Sequence, residues 1–395
     1  MKRWPIKFLP EIAFFQEGPG VRKWQFRSAG IKLINVGNIV QGQLDLSNTD
    51  RHLDKEEAEK TYSHFLLKAG DLVMATSGAT WGKVAFVEPY HLPLCLNTSV
   101  VRFRPLNTEV CDPMFLRAFF ETEAFRQQVE RLITGSAQPN FGPSHLKQIF
   151  LPLPLLAEQK RIVTLLNEAD KLRKLRAQAD RRTATLISAL FHEMFGGRKF
   201  TSIRVGELTS LVTSGATPRG GEEIYVSEGP YFIRSQNVQM NWLDLSDAAC
   251  LPREVHEQML RTKVATGDVL LNITGASIGR VAWIDKIDHE ANVSQHVCLI
   301  RPKADLLTAA YLSVFISLPA TQQFILQVQA GASRQALNHQ QVRALEIPLP
   351  PLSLQKEFAK QVSEIRELEA EQAVSRKRLD DLFQSMLHRA FNGEL

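Results

Sequence analysis

Short apolar runs separated by Gly and Ser clusters fill the first part of the chain, which predicts strands joined by tight turns. Two such runs are Leu72–Thr76 and Val84–Val87, and a third, within "LNTSVVRFRP", ends at Pro105. The segment "CDPMFLRAFFETEAFRQQVERLI" then predicts a helix with Asp112 as its N-cap and Pro113 in its first turn. This part of the chain therefore reads as a mixed α and β domain.

Two much longer segments, 157–195 and 356–391, contain no Gly or Pro and end at Gly196 and Gly393. Apolar residues recur in them at intervals of three and four with charges between, which predicts coiled-coil-like helices. These residues are Ile162, Leu165, Ala169, Leu172, Ala179, Leu186, Leu190 and Met194 in the first segment, and Phe358, Val362, Ile365, Leu368, Leu379, Leu382 and Met386 in the second. A lone helix would expose this stripe, so we expect the two helices to pack on each other. If each domain binds its own helix in the same way, the chain order makes this packing antiparallel.

The whole pattern occurs twice. "GDLVMATSGATWGKVAFV" at 70–87 recurs as "GDVLLNITGASIGRVAWI" at 267–284, and "LPLPLLAEQK" at 151–160 recurs as "IPLPPLSLQK" at 347–356. The counterpart of the first short helix is expected to begin near Leu306 and to be interrupted at Pro319. A unit of about half the chain is too long for a solenoid repeat, whose units run ~20–50 residues, so the chain is a tandem pair.

The predicted fold class is α+β, with two similar mixed α/β domains joined and separated by two long antiparallel coiled-coil-like helices in a pseudo-twofold arrangement. The predicted boundaries are a first domain at 1–152, a central spacer helix region at 153–198, a second domain at 199–348 and a C-terminal spacer helix region at 349–395.

Composition and charge narrow the class of protein only slightly. The chain has 395 residues, 44% of them apolar, and a net charge of +5, which is a mild indication of an anionic partner. No signal peptide is expected, and no apolar run approaches the ~20 residues of a membrane span. Four scattered cysteines without a Cys-x-x-Cys pair fit a reducing cytoplasm.

Motifs for catalysis are missing. "SGATWGKV" resembles a phosphate-binding loop, but Gly78 and Gly82 are one residue too close, and Val84 stands where a hydroxyl is required. There is no G-x-S-x-G, no metalloprotease histidine pair, no methyltransferase Asn/Asp-Pro-Pro-aromatic motif and no histidine cluster that requires a metal. We therefore expect neither an enzyme nor a cofactor or metal site in this chain.

Matched loops in the two copies instead carry side chains suited to reading DNA. Arg suits guanine, Asn and Gln suit adenine, and Lys and Arg grip phosphates. Gly, Asn and Ser in loops are most often turn formers, so the pairing of the loops is better evidence than any single member. The predicted DNA-binding residues are Asn38, Thr76, Ser77, Thr80, Lys83, Gln138 and Asn140 in the first copy, and Arg234, Asn237, Asn272, Thr274, Ser277, Arg280, Arg334, Gln335 and Asn338 in the second.

The duplicated "GD…G-x-x-x-G-[KR]-VA" stretches, the "G-[SA]-x-[QR]" loops, the "[LI]PLP-x-L-x-x-QK" segments before the long helices and the terminal "AFNGEL" together resemble the specificity subunit of a Type I restriction-modification system. The resemblance covers essentially the whole chain. It implies two target-recognition domains that each read one half of a gapped, double-stranded DNA target. It also implies helices that set the gap and dock two modification subunits, which bind S-adenosylmethionine and methylate adenine, and a separate restriction subunit that cleaves.

Two other classes stay open on the residues alone. A stand-alone DNA-binding regulator would use the same domains and bind specific DNA without methylation partners. A protein-interaction scaffold would use the helices and show no salt-dependent DNA affinity.

Overall fold

A computed structural model describes residues 4–79, 81–133, 140–329 and 336–395, without the side chains of 328 and 329. The chain divides into two compact units. Unit 1 comprises Met1–Arg176 together with Ser375–Leu395, and unit 2 comprises Ala177–Val374. The head of unit 1 is the part before the helix that begins at Leu156. The head of unit 2 is the part between Phe195 and the helix that begins at Leu352.

The head of unit 1 is built on an antiparallel sheet of four strands, in the order Ala13–Glu17, Val100–Pro105, Leu72–Ala75, Val84–Phe86. Beside it lies a three-stranded sheet in the order His52–Leu53, Ile31–Leu33, Leu94–Cys95, whose last two strands are parallel. Two smaller pairs complete the strands, Ile6–Phe8 with Phe150–Pro152 and Ile39–Val40 with Gln43–Leu44. The first of these pairs joins the beginning of the head to its end.

The helices of this head are short. The α-helices are Leu9–Ile12, Lys55–Thr61, Pro113–Phe120, Glu123–Leu132 and Pro143–Leu146, and the 3-10 turns are Lys23–Gln25, Val36–Asn38, Ser63–Phe65 and Pro89–His91. The long helix that follows runs from Leu156 to Thr183.

Unit 2 repeats this topology. Its four-stranded sheet has the order Thr209–Ser214, Val297–Pro302, Val269–Asn272, Val281–Trp283, and its three-stranded sheet the order Ala249–Cys250, Val226–Ile233, Ala291–Val293. Ser202–Arg204 pairs with Glu346–Pro348. Its helices are Leu186–Phe195, Arg253–Gln258, Ala309–Ser317, Pro319–Gln329 and His339–Ala344, with 3-10 turns at Gly221–Ile224, Leu260–Thr262 and Gly275–Ser277, and the C-terminal helix runs over Leu352–Phe391. The matching strand order confirms the tandem pair of mixed α/β domains.

Within each unit two helical segments run antiparallel. In unit 1, Arg161 Nη2 donates to the Leu395 carbonyl at 2.7 Å, and Arg173 Nε bonds Asp380 Oδ1 at 2.7 Å. In unit 2, the Gln372 amide donates to Thr183 Oγ1 at 3.0 Å, while the Phe191 and Phe358 rings lie 5.7 Å apart. Rising numbers in one segment meet falling numbers in the other, so the predicted antiparallel packing is confirmed.

The core of each head is completed by these segments. In unit 1, the Phe115 and Phe119 rings contact the ring of Phe391 near the end of the C-terminal helix, with ring centroids 4.8 and 5.8 Å apart. In unit 2, the Tyr311 ring contacts both Phe191 and Phe195, at 5.4 and 4.9 Å. Each head therefore buries the end of the helix that belongs to the other copy.

Two of the predicted short helices are divided. Asp112 caps its helix as predicted, accepting from the Met114 and Phe115 amides, but this helix ends at Phe120 and a second begins after Thr122, whose hydroxyl oxygen caps it. The interruption at Pro319 is confirmed, and the preceding helix starts at Ala309, capped by Thr308.

The helix predicted over 157–195 is present, with one interruption. The helix stops at Thr183 and resumes at Leu186. Thr183 Oγ1 donates to the Ala179 carbonyl and Thr185 Oγ1 to the Arg182 carbonyl. Such hydroxyl bonds compete with the helix ladder, and the β-branched residues add strain, so the "TAT" triplet breaks the helix.

The repeated glutamine of the "QK" motif holds each long helix to its head. Gln159 is fully buried, accepts from the Asp112 amide at 2.8 Å and donates to the Val110 and Pro154 carbonyls at 2.8 Å each. Gln355 does the same in unit 2 with Thr308, Leu306 and Pro350. The repeat therefore encodes a specific junction.

The repeated "GD" has a similar explanation. Asp71 and Asp268 are buried, and each pairs with an arginine on the neighbouring strand of its four-stranded sheet. The partners are Arg104 and Arg301. Bonding to the carboxylate raises the pKa of both guanidinium groups. The preceding glycine has a φ of +85° in unit 1 and +87° in unit 2, a backbone conformation that favours glycine.

Among the described residues no single helix is both long and apolar enough to cross a membrane. The bent pair Ala309–Ser317 and Pro319–Gln327, at 68°, meets that test only when its helices are taken together, by length and composition. Tyr311, Leu312 and Val314 of its first helix lie in the core of unit 2.

Candidate nucleic-acid interface

The described parts of two predicted loops of unit 1 meet at one end of its four-stranded sheet. Ser77 forms a β-bridge with Asn140, and the Phe141 amide donates to the Thr76 carbonyl at 3.1 Å. The Thr76 amide in turn donates to the Ser99 carbonyl at 2.9 Å. Segments that are far apart in sequence are therefore joined by backbone hydrogen bonds into one loop cluster.

Unit 2 builds the same cluster. Thr274 bridges Ala336, the Leu337 amide donates to the Ile273 carbonyl at 2.9 Å, and the Ile273 amide donates to the His296 carbonyl at 3.0 Å. The matching hydrogen bonds show that both heads have the same backbone arrangement in this cluster, although the side chains differ.

A further loop of unit 2, the "RSQN" segment, reaches this cluster through side chains. Asn272 Nδ2 donates to the Ser235 carbonyl at 2.8 Å, and Arg280 Nη1 donates to Gln239 Oε1 at 3.0 Å. The described parts of these loops in unit 2 therefore come together.

Glycines fix the shape of the central loop. Gly78 and Gly82 have φ values of +74° and +81°, and Gly275 and Gly279 have +74° and +86°. L-residues adopt such angles rarely, so the loop keeps its course only with glycine at these positions. This requirement explains the repeated glycines without a bound phosphate.

Eight of the predicted residues have side chains that are exposed or partly exposed on this cluster or next to it. They are Ser77, Lys83 and Asn140 in unit 1, and Arg234, Thr274, Ser277, Arg280 and Asn338 in unit 2. Some of them also have local roles. Asn338 caps the helix His339–Ala344, and the Arg234 guanidinium donates to the Asp247 carbonyl at 3.2 Å.

Four predicted residues are buried, namely Asn38, Thr76, Asn237 and Asn272. Asn38 accepts from the Asn35 amide at 2.9 Å and donates to the Asp45 carbonyl at 2.8 Å; Asn237 makes the equivalent bonds to Arg234 and Asp244, each 2.9 Å. These two amides hold the turns that lead to the repeated "LDLS". Contact of any of the four side chains with a base would require the loop to open.

Thr80, Gln138, Arg334 and Gln335 lie outside the described residues.

The sequence reasoning missed Gln295 and His296, which are exposed in the loop between the strands Ala291–Val293 and Val297–Pro302. His296 Nδ1 lies 2.6 Å from Thr274 Oγ1, and Gln295 Nε2 lies 3.1 Å from His296 Nε2. Thr217 Oγ1 donates to Gln295 Oε1. The signal was available, because "NTS" and "SQH" stand at matched positions of "LNTSVV" and "VSQHVC" and differ in polar groups.

Thiol chemistry does not arise at this cluster. Burial raises the pKa of the Cys95, Cys111 and Cys298 thiols to about 12 in each case. At neutral pH these side chains are uncharged apolar groups of the core and not nucleophiles. The groups that the cluster does present are hydroxyls, amides, an imidazole and cations, which suit hydrogen bonding and phosphate binding.

Comparison with known proteins gives a consistent result. The family model of the Type I restriction modification DNA specificity domain matches residues 1–180 and again residues 203–375. The chain is 23% identical over 412 residues to the Type I restriction enzyme EcoBI specificity subunit of Escherichia coli, covering 93% of this chain and 81% of the relative. It is 24% identical over 402 residues to the EcoKI specificity subunit of Escherichia coli strain K12, covering 92% and 82%.

Solved structures share the fold. A chain from a structure described as the basis of complex assembly and conformational transition of the type I R-M system matches with a TM-score of 0.62 at 19% identity, covering 99% of this chain and 98% of that one. The S subunit of a Type I restriction-modification system from M. genitalium matches with a TM-score of 0.56 at 14% identity, covering 98% and 96%.

Proposed function

Because the chain belongs to the family of Type I restriction-modification DNA specificity subunits, it is a DNA-recognition subunit, and we propose that each unit uses its loop cluster to read one half of a two-part target. The observation that carries this proposal is the pairing of a common loop backbone with different side chains. Ser77 and Asn140 in unit 1 stand where unit 2 has Thr274 and Ala336.

The same contrast extends to the neighbouring positions. Lys83 is replaced by Arg280, and the pair Thr98–Ser99 by Gln295–His296. A shared backbone mounts the cluster in the same way in both heads, while the side chains on it set the pattern of donors and acceptors. Two halves of different sequence are the expected target of such a protein.

Each side chain has a role that follows from its chemistry. Lys83 and Arg280 close equivalent loops and carry the positive charge that a phosphate or a guanine edge requires. Gln295 offers the bidentate amide that suits adenine, and it lies beside His296. The framework residues Asn38 and Asn237 act indirectly, by holding the turns beside the cluster.

The partners follow from the same family. We propose that two modification subunits dock on the long helices, bind S-adenosylmethionine and methylate adenine, and that restriction subunits join them, all in the cytoplasm with the DNA. Support comes from apolar side chains that remain exposed on these helices, Leu172 and Leu175 in unit 1 and Leu368 and Val374 in unit 2. Exposed apolar side chains in one segment are typical of a surface that another protein covers.

The experiment is a base-resolution methylome of cells that express the modification subunits with and without this chain, followed by variants of one unit at a time. Methyladenine should occur at a gapped, two-part motif only when the chain is present. Arg280→Ala with Gln295→Ala should alter one half of the motif, and Lys83→Ala with Asn140→Ala should alter the other. Asn107→Ala, in the loop after the strand Val100–Pro105, serves as a control.

Equal changes in both halves from variants of one unit would refute the division of labour between the units. A motif that is the same without the chain would refute its role as reader and favour a scaffold. Specific binding to the motif by the chain alone, without any methylation in its presence, would favour a stand-alone regulator.

A further inference from the structure

Unit 2 contains a cluster of side chains that DNA recognition does not use. His256 lies in the helix Arg253–Gln258, Glu257 follows it, and Glu290 precedes the strand Ala291–Val293. One ligand atom from each of the three lies within 4.8 Å of the other two. The histidine is 34 positions from Glu290, so the sequence gives no metal-binding spacing, and only folding brings the three together.

His256 is held in the form that binds metal. Its side chain is 1% exposed, and Nδ1 lies 2.6 Å from Asn292 Oδ1. The Asn292 amide nitrogen donates to the Met259 carbonyl at 2.9 Å and to Thr262 Oγ1 at 3.1 Å, so its oxygen must be the acceptor. Nδ1 therefore donates to Asn292, and in the neutral imidazole Nε2 is left with the lone pair that binds a metal. A metal-bound histidine is usually oriented by such a second hydrogen bond.

Nε2 lies close to a carboxylate. Nε2 has no hydrogen-bond partner, yet it lies 3.5 Å from Glu290 Oε1. A charge-assisted hydrogen bond would be shorter, at ~2.7–2.9 Å. Two ligand atoms bound to one tetrahedral zinc ion, each ~2.0–2.1 Å from it, lie about 3.3–3.4 Å apart. The observed separation therefore matches ligands that share a cation better than a direct hydrogen bond.

Unit 1 shows that the fold itself does not require His256, Asn292 or Glu290. The matched helix Lys55–Thr61 has Ala58 in the place of His256, and the matched strand has Cys95 in the place of Asn292. Both Ala58 and Cys95 are fully buried. Glu290 is matched by Pro93 in unit 1. None of the residues His256, Asn292 and Glu290 therefore recurs at the equivalent position of unit 1.

Two cations stand at the edge of the cluster. Arg253 Nη1 bonds Glu290 Oε2 at 2.8 Å, and Lys263 Nζ bonds Glu257 Oε2 at 2.9 Å. Each occupies one carboxylate oxygen and reduces the attraction for a further positive ion. Glu290 Oε1 still faces the imidazole, so we expect binding of moderate affinity and not the tightness of a four-ligand structural site.

We propose that His256, Glu257 and Glu290 bind a divalent transition-metal ion of the zinc type, with Asn292 as the residue that orients the imidazole. Nitrogen and carboxylate ligands suit Zn²⁺. The ion would fasten the helix Arg253–Gln258 to the strand that leads to Gln295 and His296 at the loop cluster. It would be a structural ion of unit 2 with no counterpart in unit 1.

The test uses the untagged full-length chain, titrated with Zn²⁺ against a chromophoric chelator, and Co²⁺ as a spectroscopic probe of the ligand set. One ion per chain is expected. His256→Ala, which copies unit 1, and Glu290→Gln should each weaken binding at least ~10-fold, and Asn292→Ala by ~10–100-fold. Glu254→Gln, an exposed acid in the same helix, is the matched control and should bind as the wild type does.

Wild-type protein that takes up no Zn²⁺ would overturn the proposal. Binding that is unchanged in Glu290→Gln would overturn it as well. Should His256→Ala fail to fold, Glu290→Gln still decides, since the Glu290 side chain is 49% exposed and no part of the core. None of these outcomes depends on DNA reading.

Discussion

Replacing Gln355 by Leu removes the junction between the C-terminal helix and the head of unit 2 while keeping a side chain of similar size. Three groups lose their partner: the partly buried Thr308 amide at 2.9 Å, the Leu306 carbonyl at 3.1 Å and the buried Pro350 carbonyl at 2.9 Å. A typical hydrogen bond contributes about 1 kcal/mol net, and a buried partner left alone costs 1–3 kcal/mol, so the sum is about 3 kcal/mol or more.

Urea denaturation of the full chain, followed by circular dichroism, measures the effect. A slope of ~1–3 kcal/mol per molar urea converts a loss of 3 kcal/mol into a midpoint lower by roughly 1–3 M for unit 2. Gln159→Leu should produce the same loss in unit 1, because Gln159 makes the same three bonds. Lys356→Gln, next to Gln355 and exposed, is the control and should change the stability by less than ~0.5 kcal/mol.

A companion variant tests the chemistry of the junction. Gln355→Glu places a carboxyl group opposite two carbonyl oxygens, so only its protonated form can donate to one of them. Folding then raises the pKa of this group, and the stability that the protonated form contributes is lost as the pH rises. Relative to wild type, the variant should be less stable at about pH 8 than at about pH 5. A Gln355→Leu midpoint equal to that of Lys356→Gln would refute the whole account of the junction.

Four further results are expected. Asp268→Asn should lower the free energy of unfolding by about 3 kcal/mol. This is near the lower limit for breaking one side of a buried ion pair, because the Arg301 side chain is 37% exposed. A loss below about 1 kcal/mol in chemical denaturation would contradict the prediction. Arg280→Ala should weaken recognition of one half-site by ~1–3 kcal/mol in binding assays, and equal losses on targets altered in either half would refute a unit-specific role. Only Cys250 of the four thiols should react with Ellman's reagent in the folded chain, since the other three are buried. Leu172→Glu should lower the affinity for modification subunits in a pull-down without changing the melting temperature, and unchanged capture would remove this position from the docking surface.

Much of the fold follows from pattern. The duplication, the strands around Leu72 and Val84, the Asp112 cap and the two long helices are all encoded locally, by periodicity and by capping residues. The break at Thr183 was missed because the apolar spacing continues through it, and only the bonds of the threonine hydroxyls show that the backbone yields there. Periodicity reports which face a residue prefers and not whether the backbone hydrogen bonds continue.

The candidate site was less accessible to sequence reasoning. Loop segments were found by comparing the two copies, but a sequence does not distinguish an asparagine that holds a turn from one that faces DNA. Asn38 and Asn237 are of the first kind, and only their burial reveals it. Gln295 and His296 were missed for the opposite reason, since they stand beside an apolar strand and carry no glycine signal.

The exchange of helix ends between the copies also bears on how the protein is made. Phe383, Leu387 and Phe391 belong to the same core as Phe115 and Phe119, although synthesis separates the two groups by most of the chain. Domains generally fold in the order in which they leave the ribosome, and contacts between distant segments form slowly. Until translation has passed Phe391, the first head therefore lacks part of its aromatic core. The core of the first head is therefore complete only in a chain whose second head has also been synthesised.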